Sequence, residues 1–63
     1  MSTKQLKDQL IALQEMLEDM KQERIEASAI YPESHWMIKD IDEDILLCSL
    51  TINDIQIELT INR

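Results

Sequence analysis

The stretch ILLCSLTINDIQIELTINR, residues 45–63, decides the fold, because it is close to a palindrome about Asn53-Asp54. Two templates compete for it. A tight turn at Asn53-Asp54 makes cross-strand partners of Ile52 and Ile55, Leu50 and Ile57, Cys48 and Leu59, and Leu46 and Ile61, all apolar. The other face then pairs Thr51 with Gln56, Ser49 with Glu58 and Leu47 with Thr60, which is the inside-outside alternation of a half-buried antiparallel ribbon. Asn and Asp tolerate the positive φ that such a turn requires, although Asn-Gly is the stronger signal. A helical template fits Ile38, Ile41, Ile45, Cys48, Ile52, Ile55 and Leu59, but it leaves Leu46, Leu47, Leu50, Ile57 and Ile61 on other faces. The hairpin accounts for more of the apolar residues and is the expectation. On that reading Leu50→Asp or Ile57→Asp places an unpaired charge in the core and unfolds the protein.

Upstream of the palindrome, HWMIKDIDED contains a β-prone run, Trp36 to Ile41, followed by the acidic, turn-forming Asp42-Glu43-Asp44. A third strand is expected at 36–41. A three-residue loop at 42–44 places Trp36 and Ile38 on the core face and Met37 and Ile41 outside, and a loop one residue shorter or longer exchanges the faces. Nearer the N-terminus, Leu6, Leu10, Leu13, Leu17 and Met20 recur at spacings of four and three, the stripe of an amphipathic helix. Ser2 with Gln5 has the form of a capping box, and Tyr31-Pro32 ends the helix because the residue before proline is disfavoured in the α region. The predicted fold is α+β, a single domain over residues 1–63. A helix at about 3–29 packs on an antiparallel meander of strands 36–41, 45–52 and 55–61, in the order α-β-β-β.

A domain of 63 residues buries only about 60% of the surface of its unfolded chain, so a lone core is marginal. One cysteine, Cys48, allows no internal disulfide, and one histidine, His35, gives no zinc cluster. Oligomerisation is the remaining support. A helix of about 27 residues is roughly 40 Å long against about 27 Å for an eight-residue strand, so the helix overhangs its sheet. Leu6, Leu10, Leu13, Leu17 and Met20 are therefore the expected homo-oligomer interface, with a dimer favoured, and the same stripe serving as the intramolecular core is the alternative. The first ten residues hold no apolar leader and no run approaches a membrane span, which points to the cytoplasm.

The formal charge is −7, with six acids against four bases in residues 1–30 and seven against two in residues 31–63. Direct contact with nucleic acid or an anionic membrane needs a basic face, and neither half offers one. A protein target with a basic surface is the expected partner. The residues expected to meet it are Asp40, Asp42, Glu43 and Asp44 for long-range attraction and Ile45 and Leu47 for the desolvated contact. Asp40, Asp42 and Asp44 alternate like the first ligands of a calcium loop, but Ile45 stands where that loop needs Gly and Thr51 where it needs Glu, so no metal is expected. With no glycine for a phosphate-cradling loop and no base or nucleophile pair at catalytic spacing, neither a cofactor nor an enzyme activity is expected. Arg24 in the stripe is read either as snorkelling or as pairing with an acid of another chain.

The function expected is that of a small acidic interaction protein: an oligomeric inhibitor, adaptor or regulator. Phage counter-defence proteins are an analogy of size and charge only. A nucleic-acid mimic with carboxylates in place of phosphates, or an assembly part using coiled-coil and strand-addition contacts, are the alternatives.

Overall fold

A computed structural model describes residues 2–61 of the chain, as two helices, α1 (Thr3–Ser28) and α2 (Trp36–Ile61), joined by residues 29–35 and folded back on each other. Among the described residues there is no strand. The hairpin is a rod of 45 × 15 × 13 Å, with a Cα radius of gyration of 14.3 Å against about 11 Å for a compact domain of this length.

The start of α1 follows from its cap. Ser2 Oγ accepts from the Gln5 amide at 3.2 Å and Gln5 Oε1 accepts from the Ser2 amide at 3.1 Å, so the capping box satisfies two amides at this end of the helix. The helix ends one residue before its expected end, where the Ile30 and Tyr31 amides both donate to the Ala27 carbonyl and Pro32 follows. For α2 the cap is His35. Its Nδ1 accepts from the Met37 amide at 3.1 Å while its carbonyl takes the first helical bonds from Ile38 and Lys39. The imidazole also stacks on Tyr31 at a centroid separation of 4.4 Å, which ties the loop to the helix start.

Each helix contributes a seven-position stripe in heptad spacing. In α1 it is Leu6, Leu10, Leu13, Leu17, Met20, Arg24 and Ala27; in α2 it is Ile38, Ile41, Ile45, Cys48, Ile52, Ile55 and Leu59. All fourteen are buried or partly buried. Leu6 and Ile38, at 2% and 1% exposure, lie at opposite ends of the rod because the helices run antiparallel. Full burial of such a side chain contributes about 1.5–3 kcal/mol. Midway, the Cys48 thiol donates to the Leu13 carbonyl at 3.4 Å, and nearer the loop Arg24 reaches Asp42.

The expected α+β meander is therefore incorrect: residues 36–41, 45–52 and 55–61 are consecutive turns of one helix, and Asn53-Asp54 is not a turn. The physical reason is that the five residues left over by the helical template are not scattered. At 3.6 residues per turn Leu46, Leu47, Leu50, Ile57 and Ile61 fall within an arc of about 100°, roughly opposite the core stripe. The helix leaves them in solvent rather than burying them. A two-residue hairpin also needs left-handed backbone at its turn, which Asn-Asp without glycine supports only weakly, and no described residue has positive φ. Thr51 and Thr60 are accommodated in the helix by donating their hydroxyls to the Leu47 and Gln56 carbonyls one turn back, at 3.0 and 2.9 Å. Of the face assignments for 36–41, Ile38 is in the core, but Trp36 is 67% exposed and Met37 and Ile41 are partly buried.

Candidate interaction surface

The outward faces of the two helices differ in kind. On α1 the positions directed away from α2 are Asp8, Ile11, Glu15, Asp19, Gln22 and Glu26, polar except for Ile11, and the exposed Met16 and Ile25 stand singly on the flanks. On α2 the corresponding face carries Leu46, Leu47, Leu50, Ile57 and Ile61, each at least half exposed, with Ile61 at 74%. Leu47, Leu50, Asp54, Ile57 and Ile61 keep heptad spacing, and Glu43 and Trp36 continue the line toward the loop. α2 thus has two apolar stripes, one spent on α1 and one free of any partner within the described residues. Singly exposed leucines are ordinary on a protein surface, whereas five aligned on one face make an apolar stripe of the kind that marks a candidate contact surface.

The acidic residues singled out by sequence do not all lie on one face. Asp40, Glu43 and Asp44 are exposed on the flank that also carries Leu47. Asp42 turns toward α1, where its carboxylate takes both forks of Arg24, Nε to Oδ1 and Nη2 to Oδ2 at 3.3 Å, and Ile45 lies in the core stripe. Arg24 also donates to Ser28 Oγ at 2.8 Å and reaches Glu33 Oε1 at 3.5 Å, so it joins α1, the loop and α2 within one chain. The hydrogen bond to Asp42 leads the effects that raise the guanidinium pKa above its ordinary value, against a smaller desolvation. A raised cation pKa contributes stability that is lost only as pH climbs through it, so Arg24 stays charged across the working range.

Leu6, Leu10, Leu13, Leu17 and Met20 face α2 within the chain. Near the loop, Ile30, Tyr31, Met37 and Ile41 line an open depression of about 400 Å³ rimmed by Glu23 and Glu26. Among the described residues no group of three or more His, Cys, Asp or Glu could hold a metal ion, and no helix is long and apolar enough to cross a membrane. Leu46, Leu50, Ile57 and Ile61, and Trp36 with the three-residue loop, are surface residues that the sequence reading places in a core. The signal for them was present as a second heptad line beside the first. Comparison with protein-family models, curated proteins and solved structures finds no match.

Proposed function

We propose that this chain is a non-catalytic, cytoplasmic protein-interaction module that works through the outward face of α2. The supporting observation is the asymmetry between the helices: the outward face of α1 is mostly charged, its exposed apolar residues Ile11, Met16 and Ile25 standing singly, whereas α2 presents a second aligned apolar stripe with the acidic residues Asp40, Glu43 and Asp44 beside it. The apolar residues supply the contact that excludes water, and the carboxylates supply attraction to basic groups of a target. An inhibitor, adaptor or assembly part all use such a face, and helix-in-groove or helix-on-helix packing replaces strand addition as the mode of contact.

The test compares the wild-type chain with a Leu46→Gln, Leu50→Gln, Ile57→Gln variant as baits in the same lysate. Both are expected to be helical by circular dichroism. Proteins retained in stoichiometric amount by the wild type and lost by the variant support the reading, and identical captured sets remove it. The nucleic-acid mimic keeps one observation in its favour: Asp8, Glu15, Asp19 and Glu26 line the outward face of α1. It predicts the opposite pattern, with capture of DNA- or RNA-binding proteins lost on changing those four to amides and retained in the apolar variant.

A further inference from the structure

Four of the five residues in the outward stripe of α2, Leu46, Leu50, Ile57 and Ile61, are symmetric about Asn53-Asp54, with Leu47 opposite Thr60 as the exception, and that symmetry selects an occupant. We infer that the face assigned above is covered by a second copy of this chain, α2 packing antiparallel on its copy about a two-fold axis between Asn53 and Asp54. The inference rests on the reading of α2 as the contact face. In a two-fold interface residue i meets residue j and j meets i, so the partner of each stripe residue is fixed once the axis is placed. With the axis between 53 and 54, Leu50 meets Ile57 of the copy and Leu46 meets Ile61, each twice. The near-palindrome of the sequence is, on a helix, the pattern such an axis requires.

Other arrangements fit less well. A slip of one turn in one direction sets Asp54 against Leu50 and Glu43 against Ile61, and a slip in the other sets Asp54 against Ile57. A parallel, in-register pair aligns the apolar residues but also sets Glu43 and Asp54 against their own copies, brings the two 40–44 acidic segments side by side, and aligns the two helix dipoles. The antiparallel pair moves the 40–44 acidic segments to opposite ends. Asn53 and Asp54 then stand at the axis, on the rims of the apolar stripe, where polar side chains fix register at some loss of affinity. The available area is of the right order. The chain exposes 4863 Å², about 650 Å² more than a compact monomer of 7.4 kDa, and a standard interface takes about 800 Å² from each partner.

The resulting dimer is covered over residues 46–61, and the 36–45 segment with Trp36, Asp40, Glu43 and Asp44 projects past each end of the partner helix. It is a rod with two identical acidic tips. Sedimentation equilibrium at about 100 μM is expected to give twice 7.4 kDa, with Leu50→Lys, Ile57→Lys returning the mass to that of a monomer at unchanged helicity. A spin label at Asp40→Cys, in a Cys48→Ser background and checked for helicity, leaves the interface untouched and reports orientation. Antiparallel packing in the stated register separates the two labels by about 40 Å along the axis, and parallel packing by less than about 20 Å. The short distance, or a dimer that survives the double lysine variant, overturns the inference. A monomeric wild type overturns it as well. In that case capture lost with the glutamine variant leaves the contact-face reading standing with a different occupant, and identical capture removes both.

Discussion

Arg24 occupies a position in the α1 stripe where heptad spacing calls for an apolar side chain, and its bonds explain why it is tolerated there. The guanidinium lays its stem along the interface and sends its fork to Asp42, Ser28 and Glu33, so one side chain holds three segments in register. Arg24→Lys keeps the charge and loses the fork, so its urea midpoint is expected to fall below that of the wild type, by a margin that shrinks in high salt. Sequence alone leaves Arg24 between snorkelling and pairing with another chain because an ion pair 18 residues apart is invisible until the chain is known to fold back. At the other end of the loop, His35 caps α2. His35→Ala is expected to cost about 1 kcal/mol by denaturant unfolding, and His35→Asp, a better acceptor at that position, to recover it. Ile38→Ala empties a fully buried site and is expected to cost about 2–5 kcal/mol, measured the same way. Leu50→Asp and Ile57→Asp, ruinous in a β-hairpin, are expected to leave the monomer's helicity by circular dichroism within error of the wild type, since both side chains are at least half exposed.

At the scale of the element, α1 was legible and α2 was not. α1 displays one stripe, a capping box and a terminating Tyr31-Pro32, three signals that agree. α2 displays two stripes, and a criterion that rewards the template burying the most apolar residues favours strands whenever a helix has apolar residues to spare. The overhang of α1 beyond a short sheet held the correction: a 26-residue helix finds a matching cover in another 26-residue helix. The absence of glycine around Asn53-Asp54 pointed the same way. Asn53→Ala, Asp54→Ala therefore separates the two folds. In a hairpin it removes the turn, whereas in α2 it replaces two weak helix formers by the best one and is expected to stabilise the monomer by about 1 kcal/mol, read by urea unfolding at low concentration. The candidate surface follows the same logic, since Asp40, Glu43, Asp44 and Leu47 stay together on a helix while Asp42 and Ile45 rotate toward α1.

For the whole molecule, shape is the measurable quantity. A single rod has a Cα radius of gyration of 14.3 Å, and two rods joined along α2 about the inferred axis come to about 19 Å, with a longest dimension of about 60 Å, from helix rise and interaxial spacing. Small-angle scattering across a dilution series is expected to move between these values, and a radius that stays at the smaller one at every concentration removes the dimer. The rod is closed by a loop at one end only, and the Cys48 thiol lies against the Leu13 carbonyl about halfway along it. That placement makes the chain's one cysteine a clock. A thiol reagent cannot reach Sγ until the helices part as far as the middle of the rod, so the labelling rate, divided by the rate for an unfolded thiol, gives the equilibrium constant for unzipping when reclosing outruns the chemistry. The protein carries its own stopwatch for the motion that separates its helices, and no residue has to be introduced to read it.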